Sequence, residues 1–362
     1  MLHRPYQEKD FIPRSTPELY LDNWNGETYA PSNIALIKYW GKSGLQIPMN
    51  ASLSFLLPQS ITRTRAKATL LKQPAGRVLF NFRFQGAENP DFNRKIAAFF
   101  DRISVFMPFL PYYKWEFEST NNFPHSAGIA SSASGFGALA KLLIDFEKAL
   151  YPHAGPDYLY RKTSFIARLG SGSAARSVTG PVSVWGSHPD IPGSNDLYAI
   201  DFPFEIHQNF GQVTDLILLL EKEKKEVSST QGHALIDTHP FKKSRIEQAR
   251  QHLSGLSASL QTGDWEQFGK ITETEALTLH AMMMTSDPYY ILMQPSTLRW
   301  IKQIWDLRKS TGIPVYFTLD AGANLHIIYP TSYEKRIFDN LEEISQTDKL
   351  LNRIEIIPRN SD

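Results

Sequence analysis

Three charged side chains stand almost alone in apolar or small-residue surroundings, and each needs a chemical reason to be there. Lys38 follows Ile34-Ala35-Leu36-Ile37. A buried ammonium without a counter-ion is costly, so Lys38 calls for an anion: a structural ion pair, Asp320, or a bound substrate. Arg176 lies in Gly170-Ser171-Gly172-Ser173-Ala174-Ala175-Arg176-Ser177, where nothing else is charged. Its plain reading is a helix-surface charge. The planar guanidinium fork also suits a carboxylate or phosphate. Asp320 ends an apolar run just before Ala321-Gly322. From the turn alone, an Asp capping its own backbone is the simpler reading. A carboxylate at a strand end can also orient or deprotonate a hydroxyl during phosphoryl transfer.

A second kind of chemistry lies in the backbone. Asn121-Asn122-Phe123-Pro124-His125-Ser126-Ala127-Gly128-Ile129-Ala130-Ser131-Ser132-Ala133-Ser134-Gly135 is a small-residue loop running into a helix. Small side chains let a polyanion approach the main chain, and N–H groups at a helix start point at it. The bland alternative is a serine-capped helix. Gly41-Lys42-Ser43 does not make a P-loop, because the position that should hold the first glycine is Leu36.

These residues need a framework. Residues 27–40 read as a strand that carries polar groups inward, after an irregular arm at 1–26. Residues 52–57 read as a short strand. Residues 61–70 alternate, with Arg63, Arg65, Lys67 and Thr69 on one face and Thr62, Thr64, Ala66, Ala68 and Leu70 on the other. Residues 77–84 are expected beside that strand. Helices are expected at 91–107, after the opening loop (Phe136, Leu139, Leu143, Phe146 and Leu150 at helical spacing), and at 158–169. Strands follow at 114–119, before that loop, and at 181–185. The Pro- and Gly-containing stretch 187–195 marks an expected boundary between lobes of 27–195 and 196–362. The second half reads as a buried strand at 215–220, a polar loop at 227–232 and helices at 240–261, 264–284 and 295–309. Strands at 314–319 and 325–329, a helix from 332 and a last strand at 353–357 complete it.

Bulk properties narrow the class. At 362 residues the chain is long enough for two lobes. A formal net charge of +1 argues against nucleic acid or an anionic membrane as partner. With no cysteine, thiolate catalysis, disulfides and cysteine zinc sites are excluded. The ten histidines show no metal-ligand spacing. No signal peptide and no spanning apolar run are visible, so a soluble cytoplasmic protein is expected.

Four segments in order carry a resemblance. Pro124-x-x-x-Gly128-Ile129-Ala130-Ser131-Ser132-Ala133 resembles the phosphate loop of the GHMP kinase superfamily. Ala30-Pro31-Ser32-Asn33-Ile34-Ala35-Leu36-Ile37-Lys38-Tyr39-Trp40-Gly41-Lys42 resembles the N-terminal signature of the diphosphomevalonate decarboxylase family. The Arg176 loop and Leu319-Asp320-Ala321-Gly322-Ala323-Asn324 resemble that family's arginine loop and aspartate turn. The matches span roughly residues 27–330.

The resemblance implies an α+β, two-lobed GHMP-kinase fold: a ribosomal-protein-S5-like N-terminal lobe and a ferredoxin-like α/β sandwich. It implies ATP-dependent decarboxylation of mevalonate 5-diphosphate, with ATP and Mg²⁺ required and a homodimer expected. Asp320, Arg176 and Lys38 would be catalytic. Asn33, Tyr39, Lys42, Ser171, Ser173, Ser229 and Arg176 would bind substrate. Gly128, Ala130, Ser131, Ser132 and Ala133 would hold the nucleotide, with Ser132 on the metal. The sequence departs from the family pattern at His125, Ala175, His233 and Ala323, none of which removes a charged catalytic group. A decarboxylase of the monophosphate, a small-molecule kinase and a non-catalytic S5-like binding protein are the alternatives.

Overall fold

The computed structural model describes residues 5–13, 17, 20–123, 129–221, 232, 235–347 and 355–357. Strand β1 (Asn23–Ala35) leads into a small hairpin, β2 (Lys42–Ser43) with β3 (Ile47–Pro48). β4 (Ser52–Leu70), β5 (Leu79–Phe84), β6 (Ala87–Glu88), helix α1 (Pro90–Ile103) and β7 (Tyr113–Asn121) follow. Next come α2 (Ser131–Leu150), α3 (Pro156–Gly170), a 3-10 turn at Gly172–Val178, β8 (Val182–Trp185) and β9 (Ile200–Asp201). The remainder is β10 (Val213–Leu219), α4 (Lys242–Thr262), α5 (Trp265–Met284), α6 (Pro295–Thr311), β11 (Tyr316–Thr318), β12 (Leu325–Pro330), α7 (Glu334–Thr347) and β13 (Glu355–Ile357). Among the described residues no helix is long and apolar enough to cross a membrane.

Two sheets organise the molecule. The first runs β6-β5-β7-β4-β8-β9, with β1 paired antiparallel to β4. The second runs β11-β12-β10-β13. The alternation at 61–70 holds: Thr62, Thr64, Ala66 and Ala68 are buried, and Arg63, Arg65 and Lys67 are exposed. Helix α2 packs across β1 and β4 on the buried face. There Leu139, Leu143 and Phe146 join Phe99, Trp115 and Phe165 in the main core. Each such side chain contributes about 1.5–3 kcal/mol when fully removed from water.

Several local expectations are corrected. Residues 52–57 and 61–70 form one strand. The register jumps from Pro31↔Ile61 to Ser32↔Leu57, so Pro58-Gln59-Ser60 are absorbed as a bulge. Residues 79–84 do not neighbour β4. They pair parallel with β7, which lies between them, because α1 provides the crossover. The N-terminal arm is not uniformly irregular: β1 starts at Asn23, and Phe11 is fully buried, stacked on Phe165 at 4.5 Å.

In the second sheet both faces of β10 are covered. Leu216 and Leu218 meet Trp300, Ile304 and Ile337 from α6 and α7, whereas Ile217 and Leu219 meet Ile34, Leu57 and Ile129. A doubly buried strand reads as a continuous apolar run, as residues 216–219 do. This contact also brings the end of β1 against the β11–β12 sheet, which positions the site.

Candidate active site

The apolar neighbours of Lys38 suggested a place inside a strand, but the structure puts it outside one. β1 ends at Ala35, and Lys38 lies on the segment leaving the sheet toward the β2–β3 hairpin. Its ammonium donates to Asp320 Oδ1 at 2.7 Å, with Lys38 2% and the Asp320 side chain 31% exposed. The lysine thus finds its counter-ion inside the chain, and the carboxylate is the more accessible end of the pair.

Asp320 stands in the turn between β11 and β12. That turn is fixed from outside: Thr297 Oγ1 at the start of α6 donates to Ala323 O at 2.8 Å. Asn324 Oδ1 accepts from Leu220 N at 2.7 Å and from Glu221 N at 3.0 Å. The placement of Asp320 therefore depends on tertiary contacts as well as on turn chemistry.

Arg176 is buried within the 3-10 turn, not displayed on an open loop. Its Nη1 donates to Ser52 Oγ at 2.5 Å and its Nε to Asn33 Oδ1 at 3.4 Å. The guanidinium lies over the rings of Tyr39 and Trp185. Burial lowers its pKa to about 10, with the charges of Tyr39 and Asp320 opposing the shift, so it stays cationic at neutral pH. The same neighbourhood raises the Tyr39 hydroxyl to about 12, chiefly by burial. Among the described residues no carboxylate makes an ion pair with Arg176. A buried cation held by neutral groups and aromatic faces is suited to receive a ligand anion.

Asn33 serves this arginine. Its Nδ2 donates to Ser173 O at 3.0 Å and to Ser177 Oγ at 2.7 Å, so the amide is engaged within the protein and braces the 3-10 turn. Gly172 is required by the same packing. A Cβ there would fall 2.6 Å from the Trp185 ring and 2.8 Å from the Tyr39 hydroxyl.

The two small-residue segments meet. Ser132 Oγ is 3.4 Å from Ser171 Oγ, which is 3.2 Å from Ser173 Oγ. Ser131 and Ser132 open α2 after Ala130, and Ala133 is buried behind them. A helix start lined with hydroxyls has the N–H groups and donors that suit a nucleotide phosphate. Among the described residues no group of three or more His, Asp or Glu could hold a metal. Gly128 and Ser229, together with His125 and His233, lie outside the described residues.

Lys42 sits on the hairpin. Burial, and secondarily the charge of Arg102, lower its pKa to about 8. Arg102 was not foreseen, since at the end of an amphipathic helix it looks like any solvated charge; it donates to Leu169 O at 3.0 Å. Arg168 was also missed. Its Nη1 donates to the hairpin carbonyl of Leu45 at 2.6 Å and its Nε to Leu197 O at 2.7 Å, pinning the hairpin that carries Lys42.

Comparison with known proteins bears on the chain as a whole. A model of the diphosphomevalonate decarboxylase-like N-terminal domain matches residues 30–197. One of the mevalonate 5-diphosphate decarboxylase C-terminal domain matches residues 215–359. The diphosphomevalonate decarboxylase of Ganoderma lucidum is 31% identical over 335 residues, 86% of this chain and 79% of the relative. The chain belongs to the diphosphomevalonate decarboxylase family.

The Saccharomyces cerevisiae member is 30% identical over 85% of this chain and 78% of its own. Among solved structures, mevalonate diphosphate decarboxylase from Staphylococcus aureus superposes with a TM-score of 0.77 at 28% identity, covering 92% of this chain and 95% of that one. The structure of MDDEF in complex with MVAPP, AMPPCP and magnesium superposes with a TM-score of 0.75 at 28% identity, covering 89% and 93%. The two-lobed GHMP-kinase fold expected from the motifs is the fold these family members share.

Proposed function

We propose that the protein catalyses the ATP-dependent decarboxylation of mevalonate 5-diphosphate to isopentenyl diphosphate, releasing ADP, phosphate and CO2. The observation that carries this reading is the 2.7 Å Lys38–Asp320 pair, lying within electrostatic reach of the buried Arg176, which makes no ion pair among the described residues. Substrate and nucleotide would meet in the cleft between lobes of residues 27–195 and 196–362.

ATP, with Mg²⁺ neutralising its phosphates, supplies the phosphoryl group that turns a poorly leaving tertiary hydroxyl into a phosphate ester. Asp320 orients that hydroxyl and accepts its proton, and Lys38 holds the carboxylate in place. Arg176 binds the substrate carboxylate. When the C–O bond to phosphate breaks, the electron pair of the carboxylate-bearing C–C bond forms the alkene and CO2 departs. Ser171, Ser173 and Tyr39 contact the substrate, with Asn33 bracing the loop behind them; Ser229 would join them from the polar loop. Gly128, Ala130, Ser131, Ser132 and Ala133 would hold the nucleotide phosphates, and Ser132 would also hold Mg²⁺.

Coupled measurement of ADP and CO2 with mevalonate, its monophosphate and its diphosphate tests this. Equal yields of ADP and CO2, with the diphosphate strongly preferred, are expected. ADP without CO2 would make the protein a kinase, preference for the monophosphate would reassign the substrate, and neither product would end the enzymatic reading.

Lys42 and Arg102 supply a cationic wall for the diphosphate. Because the Lys42 ammonium titrates near 8, the cation is lost as pH rises through that value, and anion binding falls with it. The value of kcat/KM for mevalonate diphosphate should therefore decline above about pH 8. The Lys42→Gln enzyme should have a lower kcat/KM and lack that basic limb. An unchanged pH profile in Lys42→Gln would remove Lys42 from the substrate site.

A further inference from the structure

Lys38 and Asp320 are 282 residues apart in sequence, and both lie in connecting segments just outside strands. Their ammonium–carboxylate distance must be fixed by something more rigid. Helix α5 touches both. Glu275 Oε2 accepts the Lys38 backbone N–H at 2.8 Å. His280, five residues further along, has Nε2 at 3.1 Å from the Asp320 carbonyl oxygen, so Nε2–H donates to it. Five residues span about 7.5 Å along a helix axis.

The carbonyl of Lys38 is fastened as well. Arg245 Nη2 from α4 donates to Lys38 O at 2.8 Å, and Asn50 Nδ2 donates to the same oxygen at 3.1 Å. Arg245 and Glu275 are themselves joined by two hydrogen bonds of 2.9 and 2.5 Å, with His252 Nδ1 2.6 Å from Glu275 Oε1. Glu275, Arg245 and His280 are buried. A buried ion pair adds little stability over well-packed apolar residues of the same volume. What this pair adds is a donor and an acceptor aimed at the backbone of one residue, Lys38.

We propose that Glu275, with Arg245, and His280 are positioning residues, and that α5 is the spacer setting the separation of the Lys38 ammonium and the Asp320 carboxylate. This rests on the reading of that pair as the reacting centre. Misplacement by about 1 Å costs on the order of a hundredfold in rate without a comparable loss of binding.

The test uses the full-length enzyme in two independent arms. Arg245→Met combined with Glu275→Leu removes both members of the clamp, so neither the guanidinium nor the carboxylate is left buried alone. His280→Leu removes the second tether, and His280→Gln keeps a donor. Folding is checked by thermal melting and by ATP-analogue binding. Expected are a kcat at least tenfold lower in the double variant and in His280→Leu, KM for both substrates within about twofold, and recovery of most of kcat in His280→Gln. Should the double variant not fold, the His280 pair decides alone. Folded variants with the original kcat, a loss carried entirely by KM, or a His280→Gln enzyme as impaired as His280→Leu would overturn the proposal. Lys38→Met and Asp320→Asn are measured alongside. If those two retain full activity, the reading of the reacting centre fails. If they are inactive while the spacer variants are not, only the spacer fails.

Discussion

Asp320→Asn will bind both substrates and turn over neither. Asparagine keeps the size of the side chain, and its amide oxygen can still accept from the Lys38 ammonium, which now lies 2.7 Å from Oδ1. It cannot accept a proton. Positioned proton transfer contributes about 10²–10⁴-fold in rate, and a thousandfold loss corresponds to about 4 kcal/mol of transition-state stabilisation. The expected outcome is a fall in kcat of about a thousandfold or more, with dissociation constants for mevalonate diphosphate and an ATP analogue within about threefold. Calorimetric titration beside a steady-state ADP assay reads both quantities. A kcat within tenfold of the unmodified enzyme would show that Asp320 does not take the proton. Loss of substrate binding would instead make the carboxylate a structural partner of Lys38. The turn around Asp320 should survive the change, because it is held through Asn324 and Thr297.

The three groups proposed to react were legible because burial makes charge conspicuous. Lys38 in an apolar run, Arg176 in a loop of Gly, Ser and Ala, and Asp320 at a strand end each broke a local pattern, and the structure gathers all three. The groups that hold them broke none. Glu275 and Arg245 sit on long helices among other charges, where a buried clamp and a solvated face share the same spacing. Only the contact of α4 and α5 with the Lys38 backbone separates the two cases, and that contact is non-local. The strand errors have the same origin. Pro58 reads as a strand breaker, and only the pairing partner β1 reveals a bulge within one strand. The separation of residues 79–84 from β4 depends on a parallel crossover through α1, which no local signal encodes. Amphipathic helices and the half-exposed strand at 61–70, whose burial follows from their own periodicity, lay where expected to within a few residues at most ends.

Arg176 should separate the two halves of the reaction. Its guanidinium is fixed by Ser52 and Asn33 and flanked by Tyr39 and Trp185, so a shorter or unforked cation has no equivalent seat. Arg176→Lys keeps a positive charge but not the fork, and Arg176→Gln removes the charge. Truncating one partner of a buried, hydrogen-bonded charge pair costs about 2–5 kcal/mol, which is roughly 30-fold to several thousandfold in rate. Phosphoryl transfer requires the hydroxyl in line with ATP, whereas decarboxylation also requires the carboxylate bond to be aligned with the departing phosphate. Losing the carboxylate anchor should therefore damage the second step more than the first. In single-turnover experiments with Arg176→Gln, ADP should form ahead of CO2, and a phosphorylated substrate should be detectable by mass spectrometry. Arg176→Lys should fall between the two enzymes. Strictly matched ADP and CO2 at every time point, with kcat/KM reduced, would mean that Arg176 acts before or during phosphoryl transfer. Unchanged kcat/KM in Arg176→Gln would mean that the guanidinium only braces the 3-10 turn on which Ser171 and Ser173 depend.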